Sequence, residues 1–93
     1  MTKSELVEKV SGTTRTDAET VGKVTLAVFD AIKREVAKGG VVQIAGFGSF
    51  RARDRAARKG RNPRTGTAIE IPAHRIPAFK ASAAFKELVN DED

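Results

Sequence analysis

Apolar residues at the start of the chain recur at the three- and four-residue spacing of an α-helix. Leu6 and Val10 share one side of this predicted helix. Thr2 and Glu5 have the spacing of a capping box, in which a hydroxyl and a carboxylate satisfy backbone N–H groups at a helix start. The pattern therefore predicts a short first helix that begins after Thr2 and is broken near Ser11–Gly12.

A longer apolar stripe predicts a second helix from about Asp17 to Lys38, with Thr16 and Glu19 at capping-box spacing. Its apolar positions extend beyond one narrow face: they are Val21, Val24, Val28, Phe29, Ile32, Val36 and Ala37. Such a helix must be covered from more than one side. Because a chain this short buries only roughly 60 to 65% of its unfolded surface when it folds alone, we expect a second subunit.

After Gly39–Gly40 the pattern changes from helical to alternating. The segment VVQIAGFGSF predicts a strand, a tight turn around Phe47 whose glycines supply positive φ, and a second strand. In the continuation, Arg51, Arg53 and Arg55 share one parity. Successive residues of a strand point to opposite faces, so these three arginines are predicted to lie together on one face.

Alternation resumes at Ile69 and Ile71, which predicts a returning strand that pairs with the first as a ribbon. Pro72 and Pro77 interrupt this strand and indicate bulges or an edge position. Ser82 can cap a short last helix, whose apolar side would consist of Phe85, Leu88 and Val89. The order of elements predicts an α+β domain with one large hairpin that projects beyond the core.

The net charge of +5 is concentrated in one segment. Between residues 51 and 66, seven basic residues and one acid give +6, so the remaining ten basic and eleven acidic residues give −1. A charge concentrated in this way is typical of a surface that binds a polyanion. A loop that is merely solvated remains the alternative.

The residues needed for catalysis or metal binding are scarce. There is no cysteine, and His74 is the only histidine, so neither a four-ligand zinc site nor an HExxH motif is possible. The glycines match neither GxxxxGK[ST] nor GxGxxG. We therefore expect no enzymatic activity, metal or cofactor. No apolar run is long enough for a secretory signal or a membrane span, which predicts a soluble intracellular protein.

Within the basic segment, Asn62-Pro63-Arg64-Thr65-Gly66 fits a β-turn in which the proline presets φ. A turn would also present the Pro63 ring as a wedge between base pairs, so the two interpretations are compatible. Arginine outnumbers lysine six to one in the segment. Arginine suits a narrow minor groove, although the bias could also reflect the base composition of the coding DNA.

Three motifs, GFGSF, RAARKGRNPRTG and IPAFKAS, lie in the order and spacing of the bacterial histone-like HU family. The sequence resembles that family from Met1 to about Asn90. The resemblance implies an α+β, intertwined dimer with a helical base, a β-sheet saddle and two protruding β-ribbon arms. Residues 1–93 would form one such domain: the base at about 2–38, sheet and arm at about 41–81, arm tip at about 55–70, and last helix at about 82–90.

The resemblance also implies roles for individual residues. A dimer core would contain Phe29, Phe47, Phe50 and Phe79. Pro63 would be the intercalating wedge. DNA-binding roles are implied for Lys3, Arg53, Arg55, Arg58, Lys59, Arg61, Asn62, Pro63, Arg64, Lys80 and Lys86.

By the same resemblance, the protein would be a cytoplasmic, nucleoid-associated architectural protein that bends and compacts DNA with little or no sequence specificity. It would prefer bent, nicked or gapped double-stranded DNA, and it would form a homodimer or a heterodimer with a paralogue. One alternative is a site-specific bender like integration host factor. The other is a module whose basic hairpin binds RNA or an acidic protein; no membrane partner is expected.

Overall fold

The structure, a computed structural model, describes residues 1–91, so the last two residues of the predicted domain lie outside it. Its elements follow the predicted α+β order. In sequence they are α1 (Lys3–Thr14), α2 (Ala18–Ala37), β1 (Val42–Ile44), β2 (Gly48–Arg55), β3 (Arg58–Arg61), β4 (Ala68–Ile71), β5 (His74–Ala81) and α3 (Ala83–Asp91). Within residues 1–91, no helix combines the length and apolar character needed to cross a membrane.

Helix α1 begins as predicted, because the Glu5 N–H donates to the Thr2 hydroxyl at 3.2 Å. The predicted break at Ser11–Gly12 is wrong, since the helix continues to Thr14. A glycine inside a helix costs only about 1 kcal/mol relative to alanine, which the surrounding turns can offset. The helix ends instead at Arg15, which adopts the left-handed conformation with φ of 55° and donates its N–H to the Ser11 carbonyl.

Helix α2 is capped by Asp17, and the predicted capping box of Thr16 and Glu19 is wrong. The Thr20 backbone N–H donates to Asp17 Oδ2 at 2.9 Å, and the Thr20 hydroxyl donates to the same carboxylate. The carboxylate takes the N-cap position because it reaches the N–H three residues ahead. The backbone bond from Thr20, followed by the hydroxyl bond, lowers the pKa of Asp17 below its ordinary value because both stabilise the ionised form.

The strands form two separate antiparallel sheets. A three-stranded sheet has the order β1-β2-β5, and β3 pairs with β4 in a two-stranded ribbon that we call the arm. Residues 56–57 and 72–73 are outside both sheets, so Pro72 marks the junction between sheet and arm. Pro77 lies in β5, at the edge of the sheet, as predicted. An edge strand tolerates proline because it has a neighbouring strand on one side only, so the missing N–H need not cost a hydrogen bond between strands.

The two glycines that flank Phe47 in the turn before β2 are required for different physical reasons. Gly46 has φ of 77°, which confirms the predicted positive φ at one of the two glycines flanking Phe47. Gly48 does not share it. A Cβ on Gly48 would lie 2.5 Å from the Lys80 carbonyl oxygen and 2.6 Å from the Phe79 ring. Gly48 is therefore required by the close approach of β5, not by its own backbone angles.

The described chain divides into two compact units, one of Met1–Arg34 and one that begins at Glu35. The expectation of a single domain therefore remains a prediction. Among the described residues, Val21 and Val36 are the only buried hydrophobic side chains, with 7% and 9% exposure. The large hydrophobic residues left exposed include Val24, Leu26, Val28, Phe29, Val41, Phe47, Phe79, Leu88 and Val89. One chain thus lacks a core of the size that a folded domain needs.

Candidate nucleic-acid interface

The two faces of the three-stranded sheet differ in chemistry. Phe50 and Phe79 are directly opposite in register, with ring centroids 4.8 Å apart. Because successive residues point to opposite faces, Arg51, Arg53 and Arg55 lie on the face opposite these two rings, as the sequence predicted. We call it the cationic face; by register it comprises Gln43, Ser49, Arg51, Arg53, Arg55, His74, Ile76, Ala78 and Lys80.

No acidic residue belongs to the cationic face within the described strands. The one acid of β2, Asp54, lies on the opposite face and is paired in register with Arg75. The ion pairs found among residues 1–91 all involve α2 or Lys38 directly after it: Lys23–Glu19, Arg34–Asp30 and Lys38–Glu35. Within the described residues, no ion pair therefore neutralises the arginines of the cationic face, and they can bind an anionic partner.

Behind the cationic face, four phenylalanine rings form a cluster. The Phe47 ring centroid lies 5.3 Å from those of both Phe79 and Phe85, and 6.3 Å from that of Phe50. The structure thus brings together three of the predicted core rings. It adds Phe85, whose helical spacing marked it as apolar without indicating which rings it meets. Phe29, the fourth predicted core ring, lies on α2 and is 42% exposed.

The arm confirms the predicted ribbon, and its register decides which basic residues share a face. Arg58 pairs with Ile71, and Gly60 pairs with Ile69. Lys59 and Arg61 lie on the other face, where Lys59 is opposite Glu70. The DNA-binding residues Arg58 and Arg61 that the resemblance implies therefore point in opposite directions.

A hydrogen-bonded turn closes the arm at Pro63, where the sequence predicted one, but its Gly66–Asn62 bond spans five residues and not the four of the predicted β-turn. The Asn62 N–H donates to the Thr67 carbonyl at 2.9 Å, and the Gly66 N–H donates to the Asn62 carbonyl at 2.7 Å. The Asn62 side-chain oxygen accepts from the Arg64 N–H at 2.9 Å. Pro63 lies between these bonds and is exposed. The turn accounts for the shape of the tip; the wedge role of Pro63 remains a prediction.

The remaining predicted cations lie near the helix starts. Ser82 caps α3 as predicted, because the Phe85 N–H donates to its hydroxyl at 3.1 Å. An open pocket of about 770 Å³ beside this first turn is lined by Ser49, Lys80 and Lys86 among others. Two ammonium groups beside a helix start are suited to a phosphate. Lys3 is the exposed first residue of α1, in the other unit.

Histidine and acidic side chains do not assemble into a metal centre in the described part of the chain: no group of three or more is within reach of one ion. His74 Nδ1 lies 2.9 Å from the Pro72 carbonyl oxygen. His74 is opposite Arg55 on the cationic face. His74 was not among the predicted DNA-binding residues. The residues next to it in sequence do not reveal that this strand pairs with β2.

Comparisons with known proteins agree with this geometry. The sequence model described as Bacterial DNA-binding protein matches residues 1–90. The DNA-binding protein HU of Geobacillus stearothermophilus is 48% identical over 89 residues, covering 96% of this chain and 99% of that protein. The same protein of Staphylococcus aureus (strain COL) is 47% identical with the same coverage.

Two solved structures of HU proteins are also similar to this chain in fold and sequence. An Anabaena HU in a cocrystal with DNA matches with a TM-score of 0.92 and 43% identity, over 96% of this chain and 97% of that one. HU from Thermotoga maritima matches with a TM-score of 0.68 and 28% identity, over 96% and 98% of the two chains. With a family match over nearly its whole length and relatives at almost half identity, the chain belongs to the bacterial DNA-binding protein family that includes HU.

Proposed function

We propose that this protein is an architectural DNA-binding protein that bends and compacts double-stranded DNA with little or no sequence specificity. The observation that carries the proposal is a sheet face without acids that adjoins a basic ribbon with an exposed proline at its tip. Family membership supports the same function. Bending DNA needs no covalent chemistry, so the protein acts without catalytic residues.

The cationic face and the arm provide the favourable free energy. Arginine and lysine that neutralise phosphates release condensed counterions, so affinity falls steeply as salt rises. Smooth bending of a 20–30 bp site costs on the order of 1–6 kcal/mol, and unstacking adds a few kcal/mol per step. Several basic contacts from each protomer are needed to offset this cost. Binding therefore depends on low to moderate ionic strength.

The two faces of the arm suit a ribbon inserted into the minor groove. The groove is about 6 Å wide, so a ribbon that enters it must widen it, and both walls then lie against the ribbon. Arg58 on one face and Lys59 and Arg61 on the other can then contact the phosphates of the two DNA strands. Opposed cations hold the ribbon centred in the groove. No base-specific donor or acceptor pattern is required for this contact, which is why sequence preference is weak.

Pro63 acts at the end of the inserted ribbon. The hydrogen bonds of Asn62 hold the turn, and the proline ring is left exposed at the position that would reach the base stack. An apolar ring there can separate two base pairs and kink the duplex. At a nick or a gap the stack is already interrupted, so less unstacking energy is needed. Nicked, gapped and bent duplexes are therefore the preferred substrates.

A dimer accounts for the missing core. The chain exposes 7824 Å², whereas a folded 10 kDa monomer exposes roughly 5,200 Å². Phe47 and Phe79, at 42% and 43% exposure, are among the side chains that a second subunit would cover. Either an identical chain or a paralogue can supply that surface, and the dimer carries two arms. The proposed location is the nucleoid in the cytoplasm, where the DNA is.

The proposal is tested by titrating nicked, intact and defined-sequence duplexes at two salt concentrations, with the mass of the free protein measured in parallel. We expect a dimer mass, tighter binding to nicked DNA, and a loss of affinity at high salt. Similar affinities for random and defined intact duplexes support the architectural function. A strong preference for one defined duplex would indicate a site-specific bender, and tighter binding to single-stranded RNA or an acidic polypeptide would reject DNA as the partner.

A further inference from the structure

Two short segments, residues 56–57 and 72–73, join the arm to the three-stranded sheet, and we call them together the junction. The last register pair of the sheet before the junction is Arg55 with His74. In the part of the chain that the structure describes, no backbone–backbone hydrogen bond involves a junction residue. Strand pairing therefore does not set the direction in which the arm leaves the sheet.

One side-chain hydrogen bond restrains the junction. His74 Nδ1 lies 2.9 Å from the Pro72 carbonyl oxygen. A carbonyl oxygen can only accept, so Nδ1 carries the proton in this bond. The bond closes a ring over Ala73 and so restricts the dihedral angles of that residue. In the other segment, Ala56 and Ala57 have no side-chain donor or acceptor that could form a similar bond.

The segment before β5 is stiff for further reasons. The ring of Pro72 holds its φ near −65°. The same ring disfavours the helical region for the preceding residue, Ile71. Ala73 is then the residue with most freedom between arm and sheet on this side, and it is the one that the His74 ring spans. No carboxylate of the described residues forms an ion pair that draws the ring away from this bond.

We propose that His74 is a positioning residue that holds the arm in the direction in which it enters DNA. The inference rests on the proposed DNA-binding function and adds to it: His74 acts through the arm, without itself contacting DNA. An arm that already points in its bound direction loses less conformational entropy on binding. One neutral hydrogen bond has a net strength equivalent to a roughly two- to tenfold change in an equilibrium constant, which limits the size of the effect.

Two substitutions separate the hydrogen bond from the other properties of the side chain. In His74→Asn the amide nitrogen stands where Nδ1 stands in histidine, so it can donate to the same carbonyl. His74→Ala has no donor. Both variants lack the second ring nitrogen and the charge of a protonated imidazole, so these losses are common to the two. Measurement at about pH 8.5 also keeps an imidazole uncharged in the parent.

The first measurement is made on the free, full-length protein. Backbone ¹⁵N relaxation gives order parameters for the arm and for β2 and β5. Urea unfolding and mass measurement show whether each variant is folded and of parental oligomeric state. Relative to the sheet, the order parameters of the arm should fall in His74→Ala and remain at the parental level in His74→Asn.

The second measurement is the affinity for a nicked duplex at four or more salt concentrations. We expect His74→Ala to bind roughly two- to tenfold more weakly than the parent. Its slope of log K against log salt should be parental, because no phosphate contact is lost. His74→Asn should bind like the parent. Arg58→Ala, which removes a charge from the arm, is the positive control and should flatten the slope.

Several outcomes would overturn the inference. Parental order parameters or parental affinity in His74→Ala would show that His74 does not position the arm for DNA. A loss of affinity with a flatter slope would make His74 a DNA contact. Equal effects of His74→Asn and His74→Ala would show that the hydrogen bond is not the cause. Failure of the parent to bind DNA would instead reject the proposed function, whereas the order parameters test the restraint on the arm without DNA.

Discussion

Arg58 and Arg61 lie on opposite faces of the arm, although they belong to one short basic run of the sequence. Arg58 pairs with Ile71, and Arg61 pairs with Ala68. An odd number of steps along a strand reverses the direction of the side chain. In the proposed minor-groove complex, the two arginines would therefore contact different walls of the groove.

The first prediction follows from this separation. Arg58→Ala and Arg61→Ala should each flatten the salt dependence of DNA binding by about 0.9 in log K against log salt per neutralised phosphate. If the two side chains meet separate phosphates, the losses of binding free energy in the two single variants should add in the double variant, within about 0.3–0.5 kcal/mol. Titrations of the same duplex at several salt concentrations provide the measurement. A double variant no weaker than either single one would contradict the two-wall arrangement.

The second prediction concerns Pro63. Pro63→Ala should reduce the preference for nicked over intact duplex, because the variant no longer unstacks base pairs and gains little from a nick. Pro77→Ala serves as a control, since it removes a proline from the sheet edge, away from the tip. The ratio of the two dissociation constants at fixed salt is the quantity to compare. If this ratio is the same in Pro63→Ala as in the parent, Pro63 does not act as an intercalating wedge.

The third prediction separates two glycines by what surrounds them. Gly48→Ala should destabilise the fold by about 1–3 kcal/mol, because its Cβ would overlap the β5 backbone and the Phe79 ring. Gly12→Ala should stabilise it by about 0.5–1 kcal/mol, since the residue is inside α1 and no atom other than those of its own helical turns lies within 4 Å of the added carbon. Urea unfolding of both variants checks the signs. Equal effects would contradict the close contact at Gly48.

The fourth prediction concerns pH and Asp17. The pKa of Asp17 is lowered in the folded state by the bonds from Thr20, so its ionised form favours folding. This contribution is fully present above the unfolded pKa of about 3.9, and it is lost as pH falls through the lower folded pKa. Asp17→Asn retains a capping side chain without the charge.

Unfolding measured from pH 7 down to pH 3 should therefore show a steeper loss of stability in the parent than in Asp17→Asn. The comparison isolates one carboxylate, because the other titrating groups are common to both proteins. Parallel curves for the two proteins would show that Asp17 does not couple folding to pH.

The fifth prediction tests the dimer through its unfolding. If folding and association are one step, a tenfold rise in protein concentration stabilises the dimer by about 1.4 kcal/mol. For a dimer of this size the corresponding rise in Tm is roughly 3–6 °C. Thermal unfolding over a hundredfold range of concentration provides the measurement. A Tm independent of concentration would indicate that one chain folds alone.

Local sequence signals predicted most of the elements. Three of these signals are local: the cap at Thr2, the cap at Ser82 and the turn at Pro63. Each depends on residues no more than five positions apart, so it can be read directly from the sequence. The errors at Ser11–Gly12 and at Thr16 arose where neighbouring residues offered competing local structures. At Thr16 the deciding fact is that the Asp17 carboxylate accepts from the Thr20 N–H. At Ser11–Gly12 the cost of one glycine is too small to end the helix.

By itself, the sequence determined the order of helices and strands, the concentration of positive charge in one segment, and the family to which the chain belongs. Only the tertiary structure decided the pairing register, because strand partners far apart in sequence are not specified by local pattern. That register places Lys80 beside the β2 arginines, separates Arg58 from Arg61, and makes Gly48 necessary through contact with β5. These relationships arise from hydrogen bonding and packing between strands.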